Sequence, residues 1–267
     1  MKHVYLAPHL DDAVLSCGGA MHRQRRAGEA VVALTIFAGE PAPGQALSPF
    51  ALEQHASWGT PARPARLRRA EDAAALALLD AEARHLEYLD AVYRATPGGP
   101  WPYDGRETLF APPHPDDPVS PAALARALAD GLPLEAGLTL YAPLAVGRHV
   151  DHQVVHQAAG HLMAMGYRVG FYEDYPYAEA PDALEEALAH SPYRGWQRRV
   201  VTLEAADIAA KVDALAYYRS QMWILFGGAE AMPSRVWAFA AGHCPEASLA
   251  ECTWWATGEG RTAEGGV

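Results

Sequence analysis

The sequence predicts an α/β fold, a mostly parallel sheet flanked by helices, and three observations lead to it. The chain opens with a strand, a turn and a helix followed by a second strand; that second strand is apolar almost throughout; and strand-like and helix-like stretches then keep alternating.

Residues 3–8 (HVYLAP) form a short apolar run that breaks at Pro8. The following DDAVLSCGGAMHRQRRAGE has its acidic residues first and its basic residues last, the order that suits a helix dipole. VVALTIFAG (31–39) is β-branched and almost wholly apolar, as a strand covered on both faces should be, and it completes a βαβ unit. Residues 40–66 are rich in Pro, Gly and Ala without a period and predict a long loop near the strand ends. LRRAEDAAALALLDAEA (67–83) predicts a helix and HLEYLDAVY a strand, and a second Pro/Gly/Asp-rich loop over 94–119 is placed to shape a cleft. Ser120 and Pro121 open a helix over 120–132; LTLYAPLAV (138–146) reads as a strand, DHQVVHQAAGHLMAMG as a helix and YRVGFYEDY as a strand. Beyond Ser191 a strand WQRRVVTL, a helix EAADIAAKVDALAYYRSQ and a Trp-rich tail are expected, the last dozen residues fraying.

With 267 residues, half of them hydrophobic, the chain suits one domain spanning 1–267 around one substantial core. A net charge of −11 opposes binding to a nucleic-acid backbone or an anionic membrane surface. No apolar stretch approaches the length of a spanning helix and the N-terminus has no signal-peptide pattern, so the expected location is cytoplasmic. Cys17, Cys244 and Cys252 are an odd number without CxxC spacing, which suggests neither a disulfide framework nor a thiolate metal site. A homo-oligomer is left open.

The chemistry concentrates at two turns. His9, Asp11 and Asp12 lie just past the first predicted strand, and His149, Asp151 and His152 follow the strand LTLYAPLAV in the same way. Ligands of open α/β sheets bind beyond such strand ends. Together the turns offer two imidazoles and a carboxylate, a donor set that leaves zinc a fourth position for water and that would also accept iron, nickel or cobalt. Each turn alone has a plainer reading: an Asp pair before a helix serves as a cap, and His149, His152 and His156 fit a solvated helix stripe. Their joint occurrence at strand ends argues for a metal site.

These motifs carry a resemblance. APHLDDAVLSCGG is similar to AHPDDExxxxGG, and HVDH to HxDH, the two signatures of the PIG-L/LmbE-like zinc-dependent N-deacetylases. The R-x-x-E helix (Arg68 to Glu71), the segment YLDA and the late KVDALAYYRSQ also resemble that family. The resemblance implies a Rossmann-like fold and removal of an N-acetyl or N-acyl group from an amino sugar or sugar-bearing small molecule. It makes His9, Asp12 and His152 ligands of Zn²⁺, Asp11 the general base and His149 the group facing the reacting carbonyl, oriented by Asp151. Arg68 and Asp90 are then expected to hold substrate hydroxyls.

The chain departs from the pattern at Leu10 (usually Pro), at Ala13 (usually Glu) and at Gly147, where some members carry Tyr. The Ala13 change is expected to bear on substrate contacts or on hydrogen bonds behind the ligands. A second string, His114-Pro115-Asp116-Asp117, matches the first signature more closely but follows no strand, so it is expected to be an inert loop. Trp101, Tyr103, Tyr172, Tyr175, Tyr177 and Trp223 could stack on sugars or pack in the core. Two rivals remain: a metal-dependent hydratase of an unsaturated carboxylic acid, for which Arg68, Arg94 and Arg148 would supply cations, and a noncatalytic binding module.

Overall fold

The structure is a computed structural model and describes residues 1–58, 64–96, 99–242 and 247–259. Cys244 and the chain beyond residue 259, including most of the expected frayed end, lie outside the described residues.

The elements run β1 (Lys2–Ala7), α1 (Asp12–Arg26), β2 (Ala30–Thr35), α2 (Pro49–Ser57), α3 (Pro64–Leu78), β3 (Glu82–His85), α4 (Arg106–Leu109), α5 (Pro121–Gly131), β4 (Leu138–Pro143), α6 (Val150–Ala164) and β5 (Val169–Tyr172). Then follow α7 (Ala183–His190), β6 (Tyr193–Arg194), β7 (Gln197–Thr202), α8 (Ala205–Leu215), α9 (Met222–Phe226), α10 (Met232–Gly242), β8 (Ala250–Trp255) and β9 (Gly258–Glu259). Seven strands form one sheet in the order β3-β2-β1-β4-β5-β8-β7. The first five are mutually parallel, and β8 joins them antiparallel to both β5 and β7. The expected α/β architecture is therefore the observed one, with an antiparallel margin.

Side chains alternate across β1 and sort the core into two layers. Val4 and Leu6 pack with Leu124 and Leu128 of α5 and with Val154, Val155 and Leu162 of α6. Tyr5 and Ala7 face the opposite layer with Val14 and Met21 of α1, Leu76 of α3, and Ile208 and Leu215 of α8. Gly19 permits the close approach of α1 to its neighbours, since a Cβ there would lie 2.6 Å from Leu203 Cδ1. A third apolar cluster, including Ala51, Val92, Tyr103, Leu109 and Val150, ties both long connections down over the strand ends.

Two local readings are corrected, and the tail gains its elements. The predicted 40–66 loop contains α2, opened by Ser48, whose Oγ accepts the Ala51 amide N–H, and by Pro49 at the first helical position. The third strand comes earlier than its apolar run suggests. Edge residues Glu82–His85 form it, whereas Ala91–Tyr93 turn into a 3₁₀ helix whose apolar side chains feed the third cluster. The Trp-rich tail folds as α9, α10 and β8. Among the described residues no helix is long and apolar enough to cross a membrane.

His156 belongs to the core rather than to a solvated stripe. Its Nδ1–H donates to Pro143 O at 2.9 Å, its Nε2 accepts from Ser191 Oγ at 2.8 Å, and burial pushes its pKa down to about 4. Both states are neutral above pH 6.5; between 6.5 and 4 only the unfolded chain takes the proton, so stability falls as pH falls. At pH 5 this group should cost the fold about 2 kcal/mol. Denaturation at pH 7.5 and 5.0 checks it: the stability gap between wild type and His156→Asn should shrink by about that amount at the lower pH, and a constant gap would contradict it.

Candidate active site

Strands β1 and β4 are neighbours, with β2 and β3 to one side and β5 to the other, so chain order reverses between them and a crevice opens beyond their C-terminal ends. The turn after β1 brings His9 and Asp11 to that crevice, and Asp12 begins α1. Asp11 has φ 133° and ψ −32°, a region that residues other than glycine rarely enter, and its carboxylate does not cap the helix it precedes. After β4 the chain passes through Ala145, Gly147 and Arg148 with φ of 64°, 80° and 63°, a tight coil that sets His149 as the N-cap of α6. At position 147 a Cβ would come within 2.6 Å of the Tyr177 ring, so that ring fills the space a side chain there would take.

Asp12 lies within reach of both imidazoles. Asp12 Oδ2 lies 3.4 Å from His9 Nδ1 and 3.3 Å from His152 Nε2. Those separations match the edges of a tetrahedron with metal–ligand bonds of roughly 2.0–2.1 Å, about 3.3–3.4 Å. The far nitrogen of each imidazole is already committed. His9 Nε2–H donates to Asp151 Oδ2 at 2.9 Å and His152 Nδ1–H to Asp174 Oδ1 at 2.6 Å, which turns the lone pairs of His9 Nδ1 and His152 Nε2 toward Asp12.

The electrostatics ask for a cation. Buried carboxylates of Asp11, Asp12, Asp90, Asp151 and Asp174 outnumber the guanidinium groups of Arg68 and Arg94 among them. Burial opposes charge on the imidazoles, yet Asp12, with Asp174 behind, lifts the His152 pKa to about 9, and Asp12 and Asp151 lift that of His9 well above its ordinary value. Asp12 is held well below the usual carboxylate range against burial, chiefly by His152. Two nitrogens and one ionised oxygen in this setting fit a zinc ion.

Other groupings of ligand-type atoms are less apt. Among the described residues, two groupings bring all three ligand atoms within 4.8 Å of one another: His9, His149 and His152, and His9, Asp90 and Asp151. His149 Nδ1 accepts the Asp151 amide N–H at 3.2 Å, which leaves the neutral ring's proton on Nε2 and makes that atom a donor rather than a ligand. Burial and the neighbouring His9 keep His149 neutral by lowering its pKa well below the ordinary value. Asp151 is saturated by His9, by Arg94 Nη1 at 2.6 Å and by the Ala91 amide at 3.0 Å.

Asp151 thus corrects one expectation: its carboxylate orients His9, and only its backbone amide touches His149. Asp11 stands beside the donor cluster, and burial lifts its carboxyl to about 7 against the pull of Arg68, with Asp12 adding to the rise. Arg68 is buried, donates to Leu10 O at 3.2 Å, lies 3.6 Å from Asp11 Oδ2 and stacks over Trp58. Asp90 Oδ1 accepts the Val92 amide while Oδ2 sits 3.7 Å from His9 Nε2, and both Arg68 and Asp90 line the cleft. Ala13 does not line it and is buried in the apolar layer on the α1 side of the sheet.

Sequence reasoning missed Asp174, which follows β5 as the other turns follow β1 and β4, a position that could have marked it. It also missed that Glu71 of the R-x-x-E helix accepts from Ser220 N and Oγ at 3.0 and 2.6 Å, joining that helix to the late SQ segment. The cleft encloses about 450 Å³. Phe50 and Trp58 from the first long connection, Arg106 and Phe110 from the second, Tyr177, and Ile224 of α9 form its walls. Of the aromatics weighed from sequence, Tyr175 and Tyr177 line it, Tyr103 and Tyr172 are buried, and Trp223 stands exposed.

Fold and site define a metal-dependent amide hydrolase of the N-deacetylase class. The chain belongs to the PIG-L family, whose model, described as GlcNAc-PI de-N-acetylase, matches residues 4–163. It is 31% identical over 234 residues to a 2'-N-acetylparomamine deacetylase of Streptomyces fradiae, covering 82% of this chain and 73% of that one. A protein of the same description from Niallia circulans is 27% identical over 235 residues, covering 84% and 82%. Among solved structures, the zinc-inhibited form of a teicoplanin deacetylase superposes with a TM-score of 0.79 at 27% identity, over 98% of this chain and 100% of that one. An A40926 pseudoaglycone deacetylase superposes at 0.77 and 26%, over 98% and 99%.

The carboxylates behind the imidazoles should govern metal affinity. His9→Ala and His152→Ala should abolish zinc retention, whereas Asp174→Asn, which spares every ligand, should weaken zinc binding by roughly 10- to 100-fold. Chelator competition on the purified variants measures this, and undiminished affinity in Asp174→Asn would contradict the assignment.

Proposed function

We propose that this protein hydrolyses the N-acetyl or N-acyl amide of an amino-sugar unit on a larger glycosylated small molecule, with His9, Asp12 and His152 holding Zn²⁺. The observation that carries the reading is the pairing of that donor set with a further buried carboxylate, Asp11, which lies beside Arg68 and lines the same cleft. When bound, the metal polarises the amide carbonyl and lowers the pKa of a water toward neutrality.

The chain supplies the remaining steps. Asp11, with its pKa near 7, takes a proton from the attacking water and returns it to the departing nitrogen. His149 presents Nε2–H to the carbonyl oxygen as negative charge develops there, and its Nδ1 contact with the Asp151 amide keeps the ring in that tautomer. Arg68 positions Asp11 from the side, anchored on Leu10 O and Trp58. Asp90 is placed to accept a sugar hydroxyl from the cleft wall. The relatives named as deacetylases of 2'-N-acetylparomamine, teicoplanin and an A40926 pseudoaglycone support a substrate of the N-acylated small-molecule class. Walls of Trp58, Phe110 and Ile224 suit the apolar faces of sugar rings and their aglycones.

The hydratase reading loses ground on one observation. Arg94, one of the cations it would need, is buried and bound to Asp117 and Asp151, so it does not face a carboxylate substrate.

Asp11→Asn and His149→Ala should each lower kcat by roughly 100- to 10,000-fold while zinc content stays near that of the wild type. The assay is acetate release from N-acetylated aminoglycosides and N-acetylglucosaminides by zinc-loaded protein. Activity intact in Asp11→Asn, or zinc lost from it, would contradict the assignment of the base.

A further inference from the structure

The HPDD string at 114–117 is not the inert loop its sequence context suggests. Asp116 is exposed, but the Asp117 side chain is 4% exposed and fully engaged. Its Oδ1 accepts the Val119 amide at 2.8 Å, and its Oδ2 accepts Tyr103 O–H at 2.6 Å and Arg94 Nη2 at 2.9 Å. The same guanidinium donates through Nη1 to Asp151 Oδ1 at 2.6 Å, and Asp151 Oδ2 accepts His9 Nε2–H at 2.9 Å. A continuous chain of charge-assisted hydrogen bonds therefore runs from Asp117 through Arg94 and Asp151 to the imidazole whose other nitrogen faces the metal position.

We propose that Asp117 is a positioning residue for the metal centre, holding Arg94 so that Asp151 fixes the orientation and donor strength of His9. The proposal rests on the assignment of His9 as a zinc ligand. Arg94 is 2% exposed and lies against the rings of Phe37 and Tyr103, so it has no route to solvent. With two carboxylates the guanidinium is overcompensated, and Asp151 keeps enough negative charge to accept fully from His9. Without Asp117 the whole buried cation falls on Asp151. Its hydrogen bond with His9 weakens, and His9 becomes a poorer donor held in a looser register. The related strings HLDD (9–12) and HPDD (114–117) thus do different work: the first supplies ligand and base directly, and the second acts from behind His9.

The test compares zinc affinity by chelator competition, and the visible absorption of the cobalt-substituted protein, in wild type, Asp117→Ala, Asp117→Asn and Asp116→Ala. Asp117→Ala and Asp117→Asn should bind zinc roughly 10- to 100-fold more weakly, the range for partners behind metal-bound histidines, with an altered cobalt spectrum. Asp116→Ala, on the same loop, should match the wild type. A role confined to anchoring the loop would lower the Tm of the metal-free protein and leave zinc affinity and the cobalt spectrum unchanged, and that result overturns the proposal. Equal weakening in Asp116→Ala also overturns it. Should Asp117→Ala fail to fold, Asp117→Asn, which keeps the shape, carries the same prediction. Tyr103→Phe, which removes one support of Asp117 without touching Arg94's charge, should weaken zinc binding in the same direction. A wild-type chain that binds no zinc would instead overturn the ligand assignment itself.

Discussion

The proposed metal site depends on one constraint: the imidazoles of His9 and His152 are each fixed from behind by a buried carboxylate. Asp151 takes the Nε2–H of His9 and Asp174 the Nδ1–H of His152, and these bonds select the opposite nitrogens to face Asp12. Without them each ring could rotate or change tautomer, and two histidines in a crevice would not specify a metal geometry. The carboxylates in turn need compensation, which Arg94 gives to Asp151 and the Val146 amide gives to Asp174.

The fold makes that arrangement available. Parallel β1, β4 and β5 end at one rim, and the turns beyond them deliver His9 with Asp12, then His149 with His152, then Asp174. The N-termini of α1 and α6 point into the same rim, where their dipoles favour ionised carboxylates near Asp12 and Asp151. The unusual backbone of Asp11 and the left-handed run at Ala145, Gly147 and Arg148 are the local consequences. Strain of this kind persists where packing on both sides of the sheet fixes the flanking elements.

Much of this was legible in the sequence because both site turns follow short, largely apolar strands. The central strands β1, β2, β4 and β5 have a pattern that burial on both faces produces, whereas β3 is a partly exposed edge strand and its charged residues concealed it. That Asp12 and His152 would meet at one crevice followed from the two turns at strand ends and their resemblance to the family signatures. The partner of Asp151 could not be read in this way, since adjacency along the chain suggested His149 and the actual partner, His9, lies 142 residues away. Asp117 and Arg94 were hidden for a similar reason: a loop without periodicity gives no sign of which of its charges fold inward.

The most direct test of this account is a crystal structure of the zinc-loaded protein, with the ion located by anomalous scattering. The account predicts one ion per chain bound by His9 Nδ1, a carboxylate oxygen of Asp12 and His152 Nε2. Asp151 and Asp174 should remain on the far nitrogens, and His149 Nε2 should be outside bonding distance. An ion held by His149 in place of Asp12, or by His9 Nε2 with Asp90 and Asp151, would contradict it.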